Sequence, residues 1–381
     1  YYIIRRRTVK ITKKMKPYQL KDYKFTLVIT VLVLTVLGIM VIGSAKASVQ
    51  NKQILGLGIG IIAMVVISLL DYVWVLNFYW VLYFLNIAML VFTRFFGTEV
   101  NGAKRWIDLK VTTFQPSEVT KIIMILFFAK YLMDHEETIN TPKTIITSIG
   151  LMAPTLILVV RQPDLSTTIS LAVVFGIVMF IGGLSYKLIG AVFAILIPAA
   201  VIFISAAVQP NQKFLQPYQQ KRILAWLEPE KYADDEAYQQ MNSIMAIGSG
   251  QLTGKGLNNN TTTSVKNGNY ILEPQTDFIF AIVGEELGFV GCCIVIGLLL
   301  LIVIQCIIIG MRAQDLAGRI ICCGIGAQIG IQSFINISVA TGIFPNTGIP
   351  LPFVSYGLTS LVSMYMGIGF VLNVGLQPKK Y

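Results

Sequence analysis

Ten stretches of mainly apolar residues, each near the length that crosses a bilayer, recur between Phe25 and Leu372, and they leave few folds open. They lie at Phe25–Ala45, Ile54–Leu70, Val75–Thr93, Val119–Met133, Ile145–Val160, Ser166–Gly183, Leu188–Val208, Phe278–Gly310, Ile320–Ala340 and Val354–Leu372. The fourth, fifth and sixth are short or interrupted, and the eighth is long enough to tilt or bend. Lipid tails satisfy no backbone N–H or C=O, so such runs enter a membrane as helices. With 55% hydrophobic and 13% charged residues and a mean hydropathy of +0.70, a soluble domain of 381 residues has no interior large enough for this surface. The expected fold is an all-α polytopic membrane protein of about ten transmembrane helices.

The net charge of +11 is unevenly spread. Nine Lys/Arg (Arg5, Arg6, Arg7, Lys10, Lys13, Lys14, Lys16, Lys21 and Lys24) face Asp22 alone in the first 24 residues, which therefore carry +8 of it. Directly before a first span, such a tail answers to the positive-inside rule and to anionic membrane lipids rather than to nucleic acid. Ten spans then return the C-terminus, with Lys379 and Lys380, to the same cytoplasmic side. The expected organisation is a basic tail (1–24), one transmembrane domain (25–376) and a short cytoplasmic tail (377–381). The chain opens on Tyr rather than Met, so the first residues are expected to be either absent from the sequence or cleaved. Ala45-Lys46-Ala47 mimics a signal-peptidase site, but the run before it is too long for an h-region and nine spans follow. Cys292, Cys293, Cys306, Cys322 and Cys323 all fall in spans at spacings that suit no zinc site.

Parity places the loops 46–53, 94–118, 161–165, 209–277 and 341–353 outside, and nearly every unusual polar string falls in them. The largest, 209–277, separates helices 7 and 8. Pro217, Trp226, Pro229 and the apolar run Ile244–Ile247 suggest short amphipathic helices folding back onto the membrane surface. In NGAKRWIDLKVTTFQPSEVTK (101–121), Glu118 and Lys121 stand one helical turn apart beyond Arg105 and Trp106. They fit a charged cluster holding a carboxylate or phosphate, or a self-satisfied ion pair. Asp164 of RQPDLSTT (161–168) reads as a helix N-cap behind a Gln-Pro turn. AIGSGQLTGKG (246–256) fails as a P-loop, because Ser249 and Gly256 stand where Gly and Ser/Thr belong. Its amides and Lys255 fit a pyrophosphate cradle or a flexible turn. Asp277 opens the eighth span, and Glu285 and Glu286 lie two turns further in, where unpaired carboxylates are costly. Gly284 and Gly288 offer a small-residue face that would bury them. Pro345, Pro350 and Pro352 in GIFPNTGIPLPFVSYG (342–357) forbid regular helix and suggest a cavity wall.

NGAKRWI, FQPSE with Lys121, QPDLSTT, AIGSG, TDFIFAIVGEELG and TGIPLPFVSYG, in this order, resemble the SEDS family of bacterial cell-wall proteins, the group of RodA, FtsW and SpoVE, with motifs closer to RodA than to FtsW. Ser166, Leu358 and Thr359 depart from the family pattern. The resemblance covers nearly all of residues 25–375. It implies peptidoglycan glycosyltransferase activity on lipid II at the outer face of the bacterial cytoplasmic membrane, beside a class B penicillin-binding protein. It also implies Asp277 as the catalytic carboxylate, Glu118 and Lys121 organising it, and Arg105 and Trp106 in a functional outer loop. Lys255, Asp164 and Ser355 complete the candidate substrate-binding set.

A sugar hydroxyl is a poor nucleophile, so Asp277 as general base would take its proton during attack on the anomeric carbon. The departing undecaprenyl pyrophosphate would need cations: Lys121, Arg105, Lys255 or a divalent metal such as Mg or Mn. Direct displacement predicts inversion. His135, the one histidine, lies in an inner loop, which excludes histidine catalysis outside. Two rivals remain, a lipid II flippase and a scaffold that only activates its partner synthase. One-sided clustering of polar strings argues against a flippase.

Overall fold

The computed structural model describes residues 22–100, 103–108, 113–209, 212, 217–233, 237–258, 264, 271 and 273–377. The basic residues up to Lys21, Lys379 and Lys380, and Asn101-Gly102 of the first polar string lie outside them. Ten long apolar helices dominate: α1 (Phe25–Ala45), α2 (Ala47–Leu69), α4 (Tyr79–Phe96), α5 (Pro116–Asp134), α6 (Pro142–Val160), α7 (Leu165–Ile181), α8 (Tyr186–Ala207), α11 (Ile279–Met311), α12 (Leu316–Ala340) and α13 (Leu358–Leu376). Three shorter helices fill the connections, α3 (Tyr72–Leu76), α9 (Pro217–Leu227) and α10 (Tyr238–Ser249). Eight of the ten are long and apolar enough to cross a membrane by length and composition. The other two are α7, which is 17 residues long and apolar but slightly short, and α5, whose acidic and basic residues dilute an otherwise apolar face. The architecture is that of a multi-pass helical membrane protein.

Local chemistry starts several of these helices. Pro116 and Pro142 occupy first-turn positions, where a missing N–H costs nothing. Asp164 caps α7 by accepting from the Thr167 amide at 3.1 Å, and Asp315 caps α12 through the Gly318 amide at 2.7 Å. The N-cap reading of Asp164 is therefore met. α12 and α13 form the buried centre, with α2 packed along α13 and α11, α5 and α7 around α12. The apolar window of α8 is 0% buried, so that helix stands outside the protein core.

Two features depart from a purely helical reading. The 94–118 connection folds into a small antiparallel sheet, β1 (Thr98–Val100), β2 (Ala103–Asp108) and β3 (Thr113–Phe114), in that order. Alternating Lys104, Trp106 and Asp108 suits a two-faced strand outside hydrocarbon. The short helices expected within 209–277 are present as α9 and α10, and they also dock on the protein. Trp226 Nε1 donates to the Gly342 carbonyl (3.1 Å), Gln240 Nε2 to Val339 and Phe344 (2.8 and 2.7 Å), and Ser243 to Ala340 (2.8 Å). The Val339 and Ala340 carbonyls end α12 without intrahelical donors, and Gln240 and Ser243 serve them.

α11 breaks at Gly288, whose φ of 65° and ψ of −164° no other residue adopts readily. The Gly-rich string repairs the break. Lys255 and Gly256 amides donate to the Glu285 and Glu286 carbonyls (3.0 and 2.9 Å), while Phe289 and Val290 amides donate to Gln251 and Leu252 (2.8 and 3.2 Å). A Cβ at Gly250 would sit 1.9 Å from the Gly284 oxygen, so the approach is backbone to backbone. The small-residue face at Gly284 and Gly288 thus receives the 250–256 turn.

Candidate active site

The loops assigned to one side by parity do gather at one end of the bundle. Lys46 pairs with Glu273 (3.1 Å), Gln53 Nε2 donates to the Ser355 carbonyl (3.1 Å), Arg105 Nε to Gln162 (3.0 Å) and Arg222 to Asn346 (3.4 Å). Ser166, one of the departures from the family pattern, donates from its hydroxyl to the Thr347 carbonyl at 2.5 Å. Thr359, another, donates to the Thr113 carbonyl at 3.0 Å and ties α13 to β3.

Asp277 lies where these loops meet, just ahead of α11. Three consecutive carbonyls fix its backbone. The Tyr356 amide donates to Gln275 (2.8 Å), the Ser355 hydroxyl to Thr276 (2.6 Å) and Asn336 Nδ2 to Asp277 itself (2.7 Å). Ser355 Oγ also accepts from the Leu351 amide (2.7 Å), and Asn336 Nδ2 also donates to Ile349 (2.7 Å). The proline-rich re-entry is therefore a latch across the chain segment that presents Asp277. Ser355 acts in that latch, with its hydroxyl committed to backbone groups on both sides.

The Asp277 carboxylate is half-buried and makes no hydrogen bond among the described residues. Gly348, at φ +75°, faces it: a Cβ there would come 3.4 Å from Oδ2. Burial pushes its pKa from 3.8 up to about 6, while the Arg222 and Arg105 cations pull it down and the Asp164 and Glu273 carboxylates add to the rise. Arg105 donates to the Gln162 and Pro163 carbonyls and stands 4.0 Å from Asp164. A carboxylate with a pKa of about 6 that feels the fields of two arginines can accept a proton beside a site that favours an anion.

The remaining candidates fall at other distances from this centre. Trp106 lies in β2, opposite Thr98, and its carbonyl accepts from the Thr98 hydroxyl at 3.1 Å. Glu118 and Lys121 form a buried pair at 2.8 Å. Lys121 Nζ also donates to Gln332 Oε1 (2.9 Å), and Gln332 Nε2 donates to the Pro350 carbonyl (2.9 Å). The pair therefore reaches Asp277 through α12 and the latch, as a support rather than by contact. Lys255 is engaged by Glu285 at 2.9 Å, and its amide and that of Gly256 serve the α11 break, so the 250–256 turn is not a cradle of open amides. Glu286 accepts from the Ser44 hydroxyl at 2.5 Å. Among the described residues, no group of three or more His, Cys, Asp or Glu side chains comes together as a ready-made metal cage.

Sequence reasoning overlooked three contributors. Arg222 sits in α9 within the long loop, where no motif marks it. Gln332 and Asn336 left a readable trace: with Gln328 they recur every four residues on one face of an otherwise apolar span, and all three are buried.

Fold and site together define a class: a multi-pass helical membrane protein with a clamped, cation-flanked carboxylate at one end of its bundle. The model of the FtsW, RodA and SpoVE family, described as a cell cycle protein, matches residues 19–380, and the chain belongs to that family. It is 34% identical over 358 residues to the peptidoglycan glycosyltransferase MrdB of Escherichia coli K12, covering 93% of this chain and 94% of that one. It is also 34% identical over 378 residues to stage V sporulation protein E of Bacillus subtilis, covering 95% and 98%. Among solved structures, a chain of a peptidoglycan synthase complex that coordinates polymerization and crosslinking superposes with a TM-score of 0.77 at 28% identity, over 93% of this chain and 97% of that one. The rod shape determining protein RodA of Thermus thermophilus gives 0.68 at 25%, over 93% and 96%.

Proposed function

We propose that this protein is a peptidoglycan glycosyltransferase that polymerises lipid II, with Asp277 as general base. The carrying observation is the clamp: three consecutive carbonyls hold the chain at Asp277 while its carboxylate, at a pKa of about 6, lies between the fields of Arg105 and Arg222. Asp277 takes the proton of the acceptor sugar hydroxyl as that oxygen attacks the anomeric carbon of the donor. The bond to the lipid pyrophosphate breaks, and the configuration inverts. Arg105 and Arg222 offset the charge growing on the pyrophosphate. Asp164 orients Arg105 while capping α7. Glu118 and Lys121 keep the latch in place through Gln332. Both termini lie in the cytoplasm and the Asp277 end faces outward, beside a class B penicillin-binding protein that crosslinks the new strand.

The test is glycan polymerisation from purified lipid II in detergent, wild type against Asp277→Asn, with the same transpeptidase in both. Long glycan from wild type and none from a folded variant is expected. Equal product from both would end the assignment of Asp277. Binding of lipid II without product from either would favour a transporter or scaffold.

A further inference from the structure

At the opposite end of the bundle from Asp277, a cavity of about 380 Å³ opens between the start of α1 and the ends of α11 and α13. Lys24, Thr26, Gln305, Ile308, Arg312 and Gly375 are among its lining residues. α11 spans the distance from one site to the other, roughly 50 Å at 1.5 Å per residue. Among the described residues, Lys24 and Arg312 form no ion pair or side-chain hydrogen bond. Gly375 leaves room for the stem of Lys24, since a Cβ there would stand 3.3 Å from Lys24 Cγ. Gln305 donates from Nε2 to Thr30 Oγ1 at 3.2 Å, which leaves its carbonyl oxygen without a donor among the described residues.

Interfacial cations often extend past apolar surface to reach water, and such snorkelling needs no cavity. Here two cations share one, with a polar wall of Thr26 and Gln305 and an apolar wall of Ile308, Ile309 and Val374. Outside the rim, Phe25 and Ile29 on α1 and Ile304 and Met311 on α11 are exposed large apolar side chains. A ligand matched to both parts carries one anionic head and hydrocarbon that continues along the helices.

We propose that this cavity binds the phosphodiester head of an anionic phospholipid. Lys24 and Arg312 grip the phosphate, the Thr26 hydroxyl and the Gln305 amide meet the hydroxyls of the headgroup, and the acyl chains lie on α1 and α11. With the orientation proposed above, the lipid belongs to the inner leaflet. Basic pockets between helices are a recognised way of holding acidic lipid heads, and the hydrocarbon wall favours a lipid over free phosphate.

The test is a melting titration of the purified full chain in neutral detergent, adding phosphatidylglycerol, phosphatidylcholine or inorganic phosphate. Wild type is compared with Lys24→Gln/Arg312→Gln and with Lys13→Gln/Lys14→Gln, which removes the same charge from the tail. Phosphatidylglycerol should stabilise wild type and the tail variant at similar concentrations. The cavity variant should need roughly thirtyfold more, about fivefold for each cation lost, and Arg312→Lys should recover most of that arm. Equal loss in the cavity and tail variants would reduce the effect to diffuse charge and overturn the site. So would equal stabilisation by phosphatidylcholine. Stabilisation by phosphate at the same concentrations would overturn the lipid assignment.

Discussion

Asp277→Asn should stabilise this protein at neutral pH while abolishing its activity. A carboxyl moved from 3.8 to about 6 by burial pays for its charge in the folded state. That shift corresponds to about 3 kcal/mol for a sealed group, at about 1.4 kcal/mol per pH unit. Asp277 is half-buried, so solvent screening trims the figure to about 1–2 kcal/mol. The folded pKa lies above the unfolded one, so the cost is absent below pH 3.8, grows through the window from 3.8 to 6 and is complete above it. Wild type should therefore lose stability across that window, and the Asn variant should not. Thermal unfolding of both proteins in one detergent, at pH 4 and at pH 7.5, reads this directly. The expected outcome is a higher melting temperature for the variant at pH 7.5, by a few degrees, and near coincidence at pH 4. A variant no more stable than wild type at pH 7.5, or shifted equally at both values, would refute the reasoning that burial tunes this carboxylate. The same pKa requires polymerisation by wild type to rise with pH around a midpoint near 6.

Two further outcomes follow from packing. Lys121→Met strands Glu118 in a buried site and removes a donor from Gln332, for a cost of about 3–5 kcal/mol. Adding Glu118→Gln should restore much of it, and a double-mutant cycle on melting temperatures that found no coupling would contradict the pairing. Gly288→Ala forces a Cβ to within 2.3 Å of the Gly254 amide at a glycine-only backbone angle, at a cost of roughly 1–3 kcal/mol from strain alone. Gly297→Ala, on the same helix with nothing within 4 Å, should be neutral, and equal tolerance at both positions would mean that α11 is not broken there.

The spans were legible because lipid imposes one rule at every point: a backbone that finds no water must bond to itself, so about twenty apolar residues mean a helix. That rule holds within one segment, and so it survives reading in one dimension. The caps at Asp164 and the N1 prolines are local for the same reason. The family resemblance marked Asp277, Arg105 and the Glu118–Lys121 pair as belonging together. Their roles were not legible, because each depends on what crosses from another part of the chain. Ser355, Tyr356 and Asn336 act on residues about 60 to 80 positions away, and no spacing rule links a side chain to a distant carbonyl. AIGSGQLTGKG fits a cradle or a turn as a string, yet in the fold it is the strip that repairs a helix break, a need that exists only once Gly288 and Gly254 are brought together. Sequence order alone carried the multi-pass helical class of the fold and the gathering of polar residue types at one end of the bundle. The folded chain sets which carboxylate feels two arginine fields without pairing to either, and which are already neutralised by a neighbour. Burial and Coulomb energy depend on distances through space, and sequence order does not carry those.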